Sequence, residues 1–425
     1  MPDFKRPLFT PNHALNMPID SLPVHPKSGN YIDTIGRNTS LHPDFGTHYE
    51  GYPIGIPYNL VGSNQPTVPI VFEYESDPGP YPVPTTPLIE GLNVYTEDVD
   101  GDRHLIIIDT VNHELYETWY TWPPGLSMPE PDDWETFPPS NPSAWWAGSG
   151  AIFDLNSNSL RPEGWTSADA AGLPIFPLLV RYDEVERALA TDGVIHHAIR
   201  FTARKTQRAY VWPTRHYAST STDVNRPPMG MRFRLRANVD ISGFSPRMQV
   251  ILRTMKKYGL ILADNGSNWF FQGTHDDRWD DEELNTLKSL HGRDFEAVDI
   301  TPWTSRPGFD PNSAEVPGES NTHVHLPNFD LVYKYKLYQN YPNPFNPTTR
   351  IKFTVKVRDF ISLKIFDVLG RELITLVNEV KEPGSYEISW DGKTSFGFNS
   401  ESGVYFCEML TGSGYTSIKK MVLIQ

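Results

Sequence analysis

The chain is short of cysteine, of long apolar runs and of basic charge. It has 425 residues and one cysteine, Cys407. No disulfide can close within one copy, and no cysteine-based metal site exists. No stretch approaches the ~18 consecutive apolar residues of a membrane-spanning helix. Lys and Arg number 37 against 52 Asp and Glu, a net charge of −15. Residues 1–330 carry 25 basic and 43 acidic side chains, whereas 331–425 carry 12 and 9. So acidic a larger part argues against nucleic acid as partner. Catalytic signatures are missing too. Gly148-Ser149-Gly150 is not a nucleophile elbow, and no phosphate loop, dinucleotide fingerprint or His-Glu-x-x-His motif occurs.

Proline (39) and aromatic residues (12%, including 11 Trp) are plentiful. That favours a β-rich, loop-rich architecture over a helical bundle. Residues 1–90 are proline-punctuated and read as an arm packed on a β-domain. Residues 91–300 read as that main domain. His104–Thr110 is an apolar strand. In Glu114–Trp122 the alternation puts Leu115, Glu117 and Trp119 on one face. His196–Ala203 and Arg208–Pro213 are expected to pair as a hairpin. Residues 161–185 read as a shaped loop running into a short helix or strand. Ser245-Pro246 is a cap and first-turn pair for a helix ending near Gly259. A second short helix follows at 279–290. Residues 301–335, rich in Pro, Asn, Ser and Gly, read as linker. The expected fold is mainly β: a two-sheet sandwich or jelly-roll-like main domain with two short helices, plus a small C-terminal β-sandwich.

Four groups in the main domain are candidates for chemistry. The first is Glu117 with a second carboxylate from Asp109, Asp154 or Asp169; Glu114 lies beside them. Glycoside cleavage needs one carboxyl raised in pKa and one ionised. The second is His196, His197, Arg200, Arg215 and His216, with His197 or His216 assisting proton transfer and Arg200 binding substrate. Satisfied structural histidines account for the same residues. The third is Asp98, Asp100 and Asp102 around Gly101, a structural calcium site by ligand type or a plain Asp-Gly turn. The fourth is the tryptophans Trp119, Trp122, Trp134, Trp145, Trp146 and Trp165. Of these, Trp119, Trp146 and Trp165 suit stacking on sugar faces, or else anchor loops. The stripe Arg232, Arg234 and Arg236 either meets an acidic glycan or pairs with carboxylates on neighbouring strands.

The last ~90 residues open on Tyr341-Pro-Asn-Pro-Phe-Asn-Pro-Thr-Thr349, which prolines keep out of helix and central strand. Short strand signals follow, separated by Gly, Asn and Asp turns. The opening, with SLKIFDVLGRELITLVNE (362–379), PGSYEISWDG (383–392), SGVYFCEML (402–410) and KKMVLIQ (419–425), resembles the type IX (Por) secretion C-terminal sorting domain. That resemblance, taken over residues 336–425, implies an Ig-like sandwich, the type IX machinery as partner, and delivery to the outer-membrane surface or the extracellular space. Such cargo first needs a signal peptide, and Met1-Pro-Asp-Phe-Lys-Arg-Pro7 has no apolar h-region. The expectation is a mature form, a fragment or a mis-assigned start. The resulting expectation is a surface or secreted protein acting on an extracellular polysaccharide, as a glycoside hydrolase or polysaccharide lyase. The opposing class is a non-catalytic glycan-binding adhesin or structural surface protein.

Overall fold

The computed structural model describes residues 8–62, 64–91, 101–125, 144–318, 335–355, 359–381 and 384–424. The chain divides into two compact units, one of residues 6–324 and one built on residues 325–425. Both are dominated by strands.

The larger unit runs through β1 (His42–Asp44), β2 (His48–Tyr49), β3 (Tyr52–Pro53), β4 (Asn59–Val61), β5 (Ile70–Phe72), β6 (Leu105–Asp109) and β7 (Glu114–Trp119). It continues through β8 (Trp145–Ala147), β9 (Ser149–Asp154), β10 (Ile199–Ala203), β11 (Arg232–Leu235), β12 (Leu260–Asn265), β13 (Phe270–Gln272) and β14 (Phe295–Val298). Its helices are α1 (Ser28–Ile35), α2 (Tyr182–Ala190), α3 (Pro246–Lys257), α4 (Asp281–Asn285) and α5 (Thr301–Thr304). Six strands form a mixed sheet in the order β1-β13-β10-β12-β11-β14, with β1/β13 and β10/β12 parallel. A second sheet has the order β4-β6-β7-β9.

Strand β6 reads Leu-Ile-Ile-Ile-Asp because both its faces are buried. Strand β10 is buried throughout but chemically two-sided. Ile199, Phe201 and Ala203 point one way, Arg200 and Thr202 the other. On the Phe201 side, the rings of Phe233 and Trp269 lie 5.3 and 5.4 Å away. The Trp269 indole N–H donates to Gly36 O at the end of α1. Helix α3 starts as its sequence dictates: Ser245 Oγ accepts from Met248 N, Pro246 follows, and Gly259 takes φ 72° past the end.

Two features differ from the sequence-based expectation, and a third follows one of its two expected readings. The 196–203/208–213 hairpin does not form; β10 pairs with β12 and β13, and Tyr210 makes one bridge to Met229. Parallel β10/β12 pairing needs a connection over the sheet, and α3 supplies it. The arginine stripe pairs with groups on neighbouring elements, the second of its two expected readings. Arg232 is buried and donates to Ala14 O and Tyr258 O, Arg234 pairs with Glu296 directly across β14, and Arg236 donates to Phe295 O. These arginines clamp the N-terminal arm and the sheet edge. The stretch expected to be linker from 301 packs as far as 318: Ala314 and Val316 are buried, and Ala14 N–H donates to Ala314 O.

The smaller unit holds β15 (Lys336–Leu337), β16 (Thr349–Val355), β17 (Asp359–Phe366), β18 (Glu372–Lys381), β19 (Gly384–Trp390), β20 (Gly403–Thr411) and β21 (Thr416–Leu423). They form two antiparallel sheets, β15-β16-β19 and β18-β17-β20-β21. Ile351, Phe353, Leu363, Ile365, Trp390, Cys407 and Met421 fill the space between them. The proline-rich opening is pinned by Phe345, whose ring sits 5.5 Å from Trp390 and whose N–H donates to Val422 O.

Candidate functional site

The Arg200 face of the six-stranded sheet gathers several carboxyls with raised pKa, Asp44, Asp169 and Asp264. Register puts Asp44 opposite Gln272, and Phe201 opposite Phe271, so Gln272 faces Arg200. A register shift after Phe201 sets Thr202 opposite Asp264, which brings Asp264 to the Arg200 side. Arg200 Nε donates to Asp169 Oδ2 at 3.2 Å, and its Nη2 lies 3.2 Å from Asp169 Oδ1 and 4.0 Å from Asp264 Oδ2. Its Nη1 donates to Gln272 Oε1. Asp169 reaches the sheet on the 161–175 loop, whose turn Ser167 fixes by accepting from Asp169 N and donating to Leu173 O.

Burial pushes the fully enclosed Asp169 carboxyl up to about 6, against the opposing pull of Arg200. Asp44 and Asp264 both touch solvent. Even so, the crowding of protein around them pushes Asp44 up to about 6, helped by Glu90, and Asp264 up to about 7, helped by Asp169. Asp44 is exposed and Asp264 partly exposed, so both carboxyls can be reached from solvent on this face of the sheet. Beside it lies a buried pair. His104 Nδ1 meets Glu90 Oε2, and its Nε2 donates to Ala168 O at 3.1 Å. Burial pushes this imidazole down, but the Glu90 carboxylate outweighs it and holds it at about 9, so both ring nitrogens donate. Burial likewise pushes Glu90 up, and His104 overcomes it to hold the carboxyl below its usual range.

Glu117 is fully buried, and its carboxylate is already used. Ile175 N–H donates to Oε2 at 2.8 Å and Phe176 N–H to Oε1 at 2.8 Å, at the start of the short helix Phe176–Leu178. Burial pushes it up to about 7. It caps a loop and has no route to a substrate. Asp109 and Asp154 lie opposite Glu114 across the β6/β7/β9 ladder, three residues from Glu117. An odd spacing places them on the other face of the sheet from Glu117. Asp109 accepts from Val111 N and Asn112 N, and Asp154 from Asn156 N, so both cap their own turns. They do not meet Glu117, which corrects the pairing with Asp109 or Asp154; Asp169 does lie close enough for Glu117 to raise it, and both carboxyls are fully buried. Of the expected set, Asp169 and Arg200 come together.

His197 is tied to Glu184 at 3.1 Å and to Ala198 O at 2.7 Å, within a group that includes Arg181. His196 bonds Asp192 and the Tyr258 hydroxyl. His216 donates to Ala170 O and stacks on Tyr217, and Arg215 donates to Arg161 O and Pro311 O. All four hold backbone or neighbouring side chains, His197 through both ring nitrogens and His216 through Nδ1. Trp122 and Trp146 are buried, and Trp165 packs under Arg161, so they anchor loops. Trp119 is half-buried, with Tyr74 6.5 Å away. Trp134, Asp98 and Asp100 lie outside the described residues. Asp102 is exposed and close enough to raise both Asp44 and Asp264.

Glu90, His104, Asp44 and Asp264 are the residues sequence reasoning passed over. One signal was present: Leu260–Ala263 is an apolar run that ends in an aspartate, an unusual place for a charge on a buried strand. A separate cavity of about 270 Å³ is lined by His25, Trp212, Arg232 and Asp299 among others, and by none of the groups around Arg200.

Comparison with known proteins bears on the smaller unit. Residues 339–425 match the secretion system C-terminal sorting domain. None of the curated proteins compared with the chain matches it. Similar solved structures include dimeric latent PorU from Porphyromonas gingivalis (19% identity, 21% of this chain and 9% of that one, TM-score 0.19). FlgD from P. aeruginosa is similar at 23% identity over 18% of this chain and 59% of that one (TM-score 0.16). PorZ, a type IX surface component of P. gingivalis, is similar at 18% over 32% and 15% (TM-score 0.17). The chain thus spans less than two thirds of each. Residues 339–425 are a type IX secretion C-terminal sorting domain, and the chain that carries them is a secreted or surface protein with a β-rich cargo unit ahead of its sorting tail.

Proposed function

We propose that the cargo unit acts on an extracellular polysaccharide by acid–base hydrolysis at the Asp44/Asp264 face of the six-stranded sheet, after delivery through contacts between the sorting tail and the type IX machinery. The observation that carries this reading is the pair of solvent-reached carboxyls raised to about 6 and about 7 on either side of Gln272 and Arg200. At neutral pH Asp264 retains a proton to give to a glycosidic oxygen, while Asp44 is ionised to take one from water. Water then adds to the anomeric carbon as the glycosidic bond breaks. Three strand spacings separate the backbones, about 14 Å at ~4.8 Å each. That exceeds the roughly 6.5–9.5 Å carboxyl separation of an inverting enzyme, so both side chains have to lean inward over Gln272 and Arg200 to act on one bond. Arg200, fixed by Asp169 and Gln272, keeps a positive charge between the two.

A non-catalytic glycan-binding role is the second reading. It is favoured by Tyr74, 48% exposed, beside the half-buried Trp119, a ring pair on which a sugar face can stack. Reducing-end release by the purified chain on a polysaccharide panel separates the two. Release that disappears in Asp264→Asn and in Asp44→Asn supports the hydrolase. No release on any substrate, with capture by an insoluble glycan retained in both variants, replaces it with the binding role.

A further inference from the structure

Parallel strands β1 and β13 end side by side at Asp44 and Gln272. Both chains therefore leave the sheet at the same end. His48 comes four residues after Asp44, His275 three after Gln272, and Asp277 two later. The two loops are tied together. Asp276 N–H donates to Gly46 O at 3.2 Å, Ile56 N–H to Gly273 O at 3.0 Å, and Thr47 N–H to Asp281 Oδ1 at 2.9 Å. Gly55, at φ 103°, packs so closely that a Cβ there would stand 2.7 Å from His275 N. His48 is thereby held over His275, ring centroids 5.3 Å apart and nearly perpendicular.

The spacing of the polar atoms is informative. His48 Nδ1 is 3.6 Å and His275 Nε2 3.5 Å from the same oxygen, Asp277 Oδ1. The ligand atoms of all three residues lie within 4.8 Å of one another. Separations of 3.5 Å and more exceed the usual N–H···O range of about 2.7–3.2 Å. They approach the edge of a coordination tetrahedron, about 3.4 Å for ligands ~2.05 Å from zinc. The cation next in sequence, Arg278, is engaged by Asp276 and Asp183. His275 Nδ1 is buried without a hydrogen-bond partner, which leaves Nε2 as the nitrogen open to a ligand.

We propose that His48 Nδ1, His275 Nε2 and Asp277 Oδ1 bind one divalent transition-metal ion, zinc by ligand type, with water completing the coordination. Two imidazoles and a carboxylate suit zinc; calcium and magnesium require an all-oxygen shell. The site is independent of the acid–base reading, since neither Asp44 nor Asp264 belongs to it. It sits at the carboxyl ends of parallel strands, where open sheets place ligands.

The full chain, stripped with EDTA, is titrated with zinc chloride by calorimetry and with cobalt chloride by visible absorption. One equivalent of zinc is expected, with intense cobalt bands that zinc displaces. His275→Ala and Asp277→Asn each weaken binding by roughly tenfold or more, and affinity falls in acid because the ligands must be deprotonated. Absence of stoichiometric zinc binding overturns the proposal. So does unchanged affinity in both variants, or calcium binding as tight as zinc. A variant that fails to fold is recognised by its melting curve in EDTA. The cobalt spectrum of the unaltered chain then decides, and weak octahedral bands overturn the site.

Discussion

Replacing Glu117 by Gln tests whether its burial is as costly as the geometry indicates. In the folded chain burial pushes this carboxyl from 4.5 to about 7. A raised carboxyl pKa means that the folded state holds its proton longer than the unfolded chain does. Stability is therefore greatest below the unfolded value and is lost as pH rises through the folded value. At ~1.36 kcal/mol per pH unit, integration from pH 5 to pH 8 gives a loss of about 2.5 kcal/mol from this one group. Glutamine has nearly the same shape and does not ionise; its one carbonyl oxygen in the Oε1 position lies 3.0 Å from Ile175 N and 2.8 Å from Phe176 N, so it can accept from both amides. Urea unfolding is followed by tryptophan fluorescence, which reports the larger unit because ten of the eleven tryptophans precede residue 304. Asp169, Asp264 and His104 also favour the lower pH, and their slope is common to both proteins. The quantity to read is therefore the difference in unfolding free energy between wild type and Glu117→Gln. It should move by about 2.5 kcal/mol in favour of the variant between pH 5 and pH 8. A difference that stays constant within about 0.5 kcal/mol would refute the argument, because Glu117 would then ionise as easily inside the fold as outside.

Two further outcomes follow from side chains already described. Arg232 is buried with backbone carbonyls as acceptors, and burial lowers it to about 9. Arg232→Met should leave the sheet intact but release the 13–22 arm, seen as faster chymotryptic cleavage near Leu15 and Leu22. Cleavage at the wild-type rate would contradict the clamp. Cys407 is buried among the tail's core residues and its thiol is pushed up to about 12. It should not react with a disulfide reagent at pH 8 until guanidinium unfolds the tail, and prompt labelling of the native protein would show that this core is open.

The sorting tail was legible in the sequence because its signals are local. Proline geometry, turn residues and strand alternation act over a few residues, and three of the tail's five strand pairs, β15/β16, β17/β18 and β20/β21, join consecutive strands. Helix α3 was legible for the same reason, through the Ser245 cap and Gly259. The candidate sites were not. Alternation placed Glu117 on an apolar face correctly, but nothing in its neighbourhood announced that the amides of Ile175 and Phe176 would come to its carboxylate. Asp44, Asp264 and Arg200 are separated by 64 residues or more. Only the parallel pairing of β1 with β13 and β10 with β12, and the register shift at Phe201, puts them on one face. The same pairing brings His48 to His275 across 227 positions. The sequence by itself determined the β-rich character, the acidic cargo unit and the export tail, since each rests on composition or short-range periodicity. Tertiary structure decided which charges are buried, which are paired and which remain open to a ligand, because desolvation and charge pairing depend on neighbours that long-range strand order supplies.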